Sequence, residues 1–129
     1  MENEQAKKVL AFGTFDGLHL GHVFFLNEAT KLGILHVSVA SDESVLQRKG
    51  RVPMQSSKQR REAVEDLHIA VGVTIGDAEL NKWTDLKEIK PDIIAVGFDQ
   101  FGLKTALQDI QHQYKFVIEK INQKNDAIS

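Results

Sequence analysis

Five short apolar runs, separated by stretches with helical spacing, constrain the fold of this chain more than any other feature. The runs are rich in β-branched residues and recur at wide intervals: Val9–Phe12, Ile34–Ala40, Ala70–Ile75, Ile93–Val96 and Lys115–Ile118. Continuous apolar character is typical of strands that are buried on both faces, and intervening helices connect parallel strands. The sequence therefore predicts an α/β fold, in which helices cover both faces of a five-stranded parallel sheet.

The length and composition fit one domain of this kind. A chain of 129 residues suits a single domain over residues 1–129, and we expect a Rossmann-like, three-layer α/β/α arrangement. The net charge of −2, with both signs mixed along the chain, argues against a nucleic-acid partner. Cysteine is absent, which excludes disulfides and thiolate zinc sites. No apolar run has transmembrane length and the start lacks a signal region, so we expect a cytoplasmic protein without a membrane partner.

The stretch GTFDGLHLGH, residues 13–22, follows the first apolar run. If that run is the first strand, the stretch forms the strand-to-helix turn, where parallel sheets bind ligands. The unpaired N–H groups of a helix N-terminus attract anions, and Gly13 and Gly17 would let the backbone approach one. His19 and His22 are three residues apart and share one side of the turn, so both could donate to phosphate oxygens.

Other interpretations of this stretch remain open on the residues alone. The glycines at 13, 17 and 21 do not match G-x-G-x-x-G, and the chain has no G-x-x-x-x-G-K-[ST] sequence. Two histidines three residues apart can form half of a zinc site, although no third ligand is evident. They can also serve as ordinary capping or core residues.

HLGH within this stretch resembles the H-x-G-H signature of the nucleotidyltransferase superfamily, in particular its cytidylyltransferase-like group. That group includes glycerol-3-phosphate cytidylyltransferases and archaeal-type FAD synthetases. The resemblance covers nearly the whole chain: QRKGRVP is similar to the family's basic loop, KQRRE to its arginine-bearing helix start, and KPDIIAVGFDQ to its nucleobase-binding strand end. It implies transfer of a nucleoside monophosphate from an NTP to a phosphorylated acceptor, with release of pyrophosphate.

The resemblance also implies catalytic roles. His19 and His22 would contact the NTP phosphates, and Asp16 would lie near the reacting phosphate and a Mg²⁺ cofactor, although Asp16 could instead be a helix cap. Lys49 would reach the phosphates from a long polar link over residues 44–57. The neighbouring arginines at 48 and 51 could share that role or simply be solvated.

The other residues assigned to nucleotide binding lie at strand ends, helix starts or the end of the chain. Arg60 would meet a phosphate, with a surface arginine as the alternative, and Asp99 would accept from a nucleobase amino group. KNDAIS at the chain end resembles a degraded form of the family motif R-T-x-G-[IV]-S-[ST]. The full set is Gly13, Thr14, Phe15, Gly21, Arg60, Gly97, Asp99, Lys124 and Ser129.

The sequence GFDQ at residues 97–100 is closer to the G-[YF]-D-Q of archaeal-type FAD synthetases than to the cytidylyltransferase pattern. The resemblance therefore favours adenylyl transfer from ATP to FMN. Cytidylyl transfer from CTP to glycerol 3-phosphate or a similar small phosphate is the second hypothesis. A non-catalytic nucleotide-binding module with a degraded closing motif is the third. The family often forms homodimers, which makes a dimer possible here.

Overall fold

Strands and helices alternate along the part of the chain that the structure, a computed structural model, describes: residues 6–122. All five predicted strands are present, and every strand pairing is parallel, which confirms the predicted α/β fold. The elements are β1 (Lys8–Gly13), α1 (Leu20–Thr30), β2 (Ile34–Val39), α2 (Asp42–Lys49), α3 (Ser57–Glu65), β3 (Gly72–Ile75), α4 (Thr84–Ile89), β4 (Ile93–Gly97), α5 (Phe101–Tyr114) and β5 (Val117–Ile121).

The sheet has the strand order β3-β2-β1-β4-β5, which places the first strand of the chain at the centre. Val9, Leu10 and Ala11 of β1 are fully buried, because helices cover both faces of this strand. The chain first winds outward through β2 and β3 and then returns to place β4 on the other side of β1. The order of the strands reverses between β1 and β4, and a doubly wound sheet opens a crevice at such a point.

Two apolar cores lie on the opposite faces of the sheet. On one face, Leu26 of α1 and Val64 of α3 belong to a cluster with the strand residues Val9 and Val37. On the other face, the core comprises Leu10, Leu86, Ile94, Val96, Leu107 and Phe116, with helix residues from α4 and α5. The helices thus form the outer two layers of the predicted three-layer arrangement. None of the helices within residues 6–122 is long and apolar enough to cross a membrane.

The prediction of a long polar link over residues 44–57 is wrong, because α2 occupies its first half. Ser41 caps the helix by accepting a hydrogen bond from the Ser44 amide, and Gly50 ends it with a left-handed φ of 74°. Two acidic residues in the first turn and two basic residues in the last turn complement the helix dipole. Only the segment from Gly50 to Ser56 remains as a loop.

The last strand begins two residues later than predicted. Lys115 adopts a φ of 55° and caps α5 by donating its amide to the Gln111 carbonyl at 2.9 Å. Phe116 follows as a buried residue, and β5 starts at Val117. The left-handed cap of the helix therefore takes the residues that the apolar pattern assigned to the strand.

Candidate functional site

A cavity of about 910 Å³ opens at the carboxyl end of the sheet. Its walls come from the segments that follow β1, β2, β3 and β4, so it lies at the crevice that the strand order creates. Small-molecule sites occupy roughly 300–1,000 Å³. This cavity is at the upper end of that range.

The two histidines of the H-x-G-H sequence line this cavity at the start of α1. His19 is the N-cap residue with extended backbone, and His22 lies in the first turn of the helix. Their rings stack with centroids 3.8 Å apart and planes 24° apart. The structure therefore brings together the pair that the sequence placed on one side of a helical turn.

Hydrogen bonds from the backbone fix which ring nitrogen of each histidine carries a proton. The Gly21 amide donates to Nδ1 of His19 at 3.0 Å, and the His19 amide donates to Nδ1 of His22 at 3.3 Å. Because each Nδ1 accepts, each neutral ring carries its proton on Nε2. The helix cap thus leaves both histidines with an Nε2–H donor for an anion.

The surroundings of His22 favour its neutral form. Burial lowers the pKa of His22 below its ordinary value, the neighbouring His19 lowers it further, and the Asp99 carboxylate partly opposes both. The Phe15 ring contributes to this burial by packing edge-on against His22, with centroids 5.5 Å apart. In the absence of an anion, His22 is therefore a neutral donor at neutral pH.

Asp16 holds two loops together. Its carboxylate accepts from the amides of Met54 and Gln55, each at 2.9 Å, and Gln55 in turn accepts from the Gly17 amide through Oε1 at 3.1 Å. These amide bonds hold the pKa of Asp16 below its ordinary value, and the charges of Arg60 and Arg51 act in the same direction, while burial opposes them. We call this arrangement of residues 16–17 and 54–55 the loop clasp. Gly17, which was expected to let the backbone approach an anion, adopts a φ of 74°, and its amide donates within the clasp.

Arg60 lies beneath the loop clasp rather than in the cavity. Its side chain is fully buried and donates to the carbonyls of Gln55, Thr14 and Ala40 at 2.8–3.0 Å. Its remaining terminal nitrogen pairs with Asp42 at 2.7 Å. The guanidinium thus has a structural environment, and the structure does not place it at the phosphate site that the sequence suggested.

The small size of Gly13 has a packing cause. A Cβ atom on Gly13 would lie 2.5 Å from the ring of Phe15, whose side chain is buried in the core. Phe15 itself has a φ of 55°, which turns its ring back under the strand end. The Phe15 ring therefore supports His22. Gly21 lines the cavity within the first turn of α1.

Three exposed basic residues, Arg48, Lys49 and Arg51, line the cavity, and we call them the basic wall. Arg48 lies 3.5 Å from the hydroxyl of Thr14 through its Nη2 atom. Arg48 and Lys49 therefore reach the cavity from the C-terminal turn of α2, in place of the extended loop that the sequence suggested, and Arg51 follows in the loop after Gly50.

The turn after β4 forms another wall. Gln100 accepts from the Gly97 amide at 2.8 Å and donates to the Phe12 carbonyl at 2.9 Å, so it joins the ends of the two strands at the crevice. Gly97 has little free space, since a Cβ atom there would lie 3.3 Å from the carboxylate of Asp99. Asp99 is exposed and lines the cavity, where its charge acts on His22.

Several residues of the site were not identified from the sequence. Gln55 and Gln100 act through contacts 38 and 88 residues away along the chain, which local patterns do not reveal. Asp85 is also unexpected, because Ser38 and Thr74 donate their hydroxyls to it from two different strands. Of the predicted residues, Lys124 and Ser129 lie outside the part of the chain that the structure describes. Within residues 6–122, no group of three or more His, Asp or Glu side chains is arranged to hold a metal ion.

Curated relatives share much of this sequence. The chain is 41% identical over 110 residues to the FAD synthase of Thermococcus sibiricus, with 84% of the chain and 74% of the relative covered. It is 44% identical over 94 residues to that of Ferroglobus placidus (73% and 60% covered) and 40% identical over 113 residues to that of Pyrococcus abyssi (86% and 76% covered). The chain thus spans 60–76% of the length of these relatives.

Solved structures with the same fold give a consistent result. The lipopolysaccharide core biosynthesis protein of Thermoplasma volcanium superposes with a TM-score of 0.77 at 32% identity, with 92% of this chain and 97% of that chain covered. A pantoate-beta-alanine ligase of Francisella tularensis superposes with a TM-score of 0.61 at 13% identity, covering 92% of this chain and 60% of that chain. At that identity the second likeness concerns the fold alone.

The family assignment follows from a match across most of the chain. The family described as cytidylyltransferase-like matches residues 10–128, a range that includes the histidine pair, the loop clasp and the turn after β4. The chain therefore belongs to the cytidylyltransferase-like family of nucleotidyltransferases.

Proposed function

We propose that the protein is an FMN adenylyltransferase, which transfers the adenylyl group of ATP to FMN and forms FAD and pyrophosphate. A phosphate oxygen of FMN attacks the α-phosphorus of ATP, and the bond from that phosphorus to the bridging oxygen breaks. Pyrophosphate leaves with the electron pair. The names of the relatives at 40–44% identity support this choice of substrates, as does the GFDQ sequence after β4.

The stacked histidine pair is the observation that carries the chemistry. Negative charge increases on the phosphate oxygens as the reaction proceeds, and preorganised donors stabilise it most effectively. His19 and His22 are held in place by the backbone of α1 before any substrate binds, with both Nε2–H groups available. The basic wall supplies positive charge to the same cavity, with Lys49 as the proposed contact to the phosphates.

Mg²⁺ is proposed as the cofactor, and the donors present fit a limited role for protein ligands. Mg²⁺ in nucleotide sites takes most of its ligands from phosphate and water oxygens and only one or two from carboxylates. Asp16 keeps an unused lone pair on each oxygen beside its amide contacts, so it can supply one such ligand. When bound, the ion neutralises phosphate charge and orients the phosphates.

Asp99 is proposed to accept a hydrogen bond from the amino group of the adenine. Support comes from its exposed position on the cavity wall, two residues after β4. Replacement of Asp99 by Asn should change the ratios of KM among ATP, CTP, GTP and UTP. Unchanged ratios would remove Asp99 from this role.

The central experiment supplies the protein with Mg²⁺, each of the four NTPs, and either FMN or glycerol 3-phosphate. Formation of FAD and pyrophosphate is measured together. The wild type should form FAD from ATP and FMN, and His19→Ala and His22→Ala should each lower kcat about 10²- to 10³-fold. His112→Ala is the matched control, because His112 is an exposed histidine of α5 that does not line the cavity.

The other outcomes separate the remaining hypotheses. Pyrophosphate release with CTP and glycerol 3-phosphate, without FAD formation, would favour the small-phosphate cytidylyltransferase. Binding of NTP without pyrophosphate release under any condition would favour a non-catalytic module. Equal turnover of the wild type and both cavity histidine variants would refute the proposed role of the pair.

A further inference from the structure

The wall of the cavity beyond β2 and β3 carries a carboxylate that the proposed chemistry does not use. Asp85, in the first turn of α4, accepts from the Ser38 hydroxyl at 2.7 Å and from the Thr74 hydroxyl at 2.8 Å, both at its Oδ2 atom. Ser38 is 3% exposed, so this contact is secured from the interior of the sheet. Ser38 and Thr74 are direct partners in the parallel register of β2 and β3, which places their hydroxyls side by side beneath the helix.

These contacts leave one side of the carboxylate for a ligand. Two hydroxyl donors fill the lone pairs of Oδ2, whereas Oδ1 has no donor within hydrogen-bonding distance among residues 6–122. Asp85 lines the cavity, and none of the ion pairs in that part of the chain includes it. A half-buried carboxylate oriented in this way accepts a hydrogen bond from an N–H or O–H group.

The charges of the cavity determine which end of the acceptor lies near Asp85. The histidines and the basic wall supply the N–H donors and the positive charge that favour phosphates. The segment from β3 into α4 lines the cavity with Asp77, Glu79 and Asp85, and the one lysine of this segment in the lining, Lys82, pairs with Glu79 at 3.7 Å. An acceptor with a phosphate at one end therefore directs that phosphate away from Asp85 and its uncharged end toward Asp85.

An aromatic surface lies beside this carboxylate. Trp83, two residues before Asp85, packs edge-on against Phe12 with ring centroids 5.7 Å apart, and both residues line the cavity. Phe12 is the register partner of Ser38, so the aromatic pair and the carboxylate adjoin each other on one face of the sheet. Flat rings pack well on such surfaces, and the adjacent carboxylate adds a polar contact at the edge of the ring.

We propose that Asp85, oriented by Ser38 and Thr74, accepts a hydrogen bond from the imide N–H of the isoalloxazine ring of FMN and so selects this acceptor. This inference rests on the proposed function and identifies the part of the acceptor that the protein recognises. The phosphate and the ring of FMN lie at opposite ends of the molecule, as the charge distribution in the cavity requires.

The test compares steady-state kinetics of the wild type, Asp85→Asn, Asp85→Ala and Thr74→Val. In Asp85→Asn the amide oxygen stays with the hydroxyls, and the NH₂ group meets the ring N–H, so two donors face each other. KM for FMN should rise about 10- to 100-fold, with kcat and KM for ATP unchanged. Thr74→Val removes one orienting bond from an exposed edge strand and should give a smaller rise.

A ring analogue and a matched control distinguish recognition from a structural effect. FMN methylated at the imide nitrogen lacks the donor, so the wild type should prefer FMN over it by about 10-fold or more, and Asp85→Ala should lose most of this preference. Glu88→Gln changes an exposed carboxylate of the same helix that does not line the cavity, and its KM for FMN should equal that of the wild type. Thermal unfolding of each variant checks that α4 remains folded.

The outcomes also separate this inference from the proposed function. If the wild type forms FAD and Asp85→Asn leaves KM for FMN unchanged, or raises KM for ATP by the same factor, the assignment of Asp85 is overturned. Equal use of FMN and the methylated analogue by the wild type would overturn it as well. If the wild type forms no FAD, the proposed function fails, and the assignment of Asp85 fails with it.

Discussion

Replacing Arg60 by methionine gives a demanding test of the loop clasp and its support. Methionine occupies a similar volume and has no charge, so the substitution removes the hydrogen bonds without opening a large cavity. Three carbonyls then lose their donor, and Asp42 loses its ionic partner. The three carbonyls belong to the β1–α1 turn, the end of β2 and the loop before α3, and the Arg60 side chain joins all three.

The contacts allow an approximate magnitude. Removing one partner of a buried ion pair costs about 3–5 kcal/mol, but the Asp42 side chain is 40% exposed and regains water. We therefore assign about 1–2 kcal/mol to this pair. Each of the three carbonyls adds about 1 kcal/mol. The total is about 4–5 kcal/mol, against a free energy of unfolding of about 5–15 kcal/mol for proteins in general.

The assays are urea unfolding and calorimetry, with Lys58→Met as the control at an exposed position of the same helix. A loss of about 4–5 kcal/mol corresponds to a Tm decrease of roughly 15 °C for a chain of this size. In a double-mutant cycle, Asp42→Asn should show coupling to Arg60→Met. A loss below about 1 kcal/mol, combined with a large rise in KM for ATP, would refute the structural role and restore Arg60 as a phosphate ligand.

Three further predictions concern the turn after β1. In NMR spectra of the free protein, His22 should titrate below its ordinary pKa, since burial favours the neutral ring. Its pKa should rise when ATP is bound. A titration midpoint at or above the ordinary pKa in the free protein would contradict this. Gly13→Ala should destabilise the protein by about 1–3 kcal/mol and lower kcat, because the new Cβ displaces the Phe15 ring that supports His22. If the variant keeps the stability and kcat of the wild type, the ring moves aside without cost and the reasoning is wrong. The pKa of Asp16 is depressed in the folded state, so its contribution to stability is present above about pH 4 and decreases as the pH falls further. Urea unfolding at pH 5, 4 and 3 should therefore show a smaller loss of unfolding free energy in Asp16→Asn than in the wild type. Parallel losses in the two proteins would exclude Asp16 as a source of acid sensitivity.

The sequence allowed the sheet to be predicted because its signal is local. Each strand is an apolar run whose neighbours carry helical spacing, and this pattern needs no knowledge of tertiary contacts. The segment after β2 was misassigned for a local reason as well. Its polar and basic composition obscured the N-cap at Ser41 and the left-handed Gly50, which define α2 between them.

The candidate site also contains residues whose role local sequence predicts and residues whose role depends on tertiary contacts. The histidine pair could be placed from a spacing of three residues and a preceding strand. The environment of Arg60 could not, because its four partners come from residues that are 5 to 46 positions away along the chain. The same limit applies to Asp85, whose partner Ser38 is 47 residues away. Side chains of this kind owe their role to the way in which the strands are ordered in the sheet.

The central position of β1 has a consequence for the order in which the protein folds. β1, β2 and β3 are consecutive along the chain and are neighbours in the sheet in that order, whereas β4 must return across some 80 residues to reach β1. Closure of so long a loop is entropically costly, so we expect the pairing of β1 with β2 to precede the pairing with β4. Pulse-labelled hydrogen exchange during refolding would then protect the β1–β2 amides before those of β4, and simultaneous protection would contradict this order. The cavity lies where β1 meets β4, the strand that is expected to pair with it later. A nucleotide that contacts residues after both strands therefore stabilises only the fully folded protein.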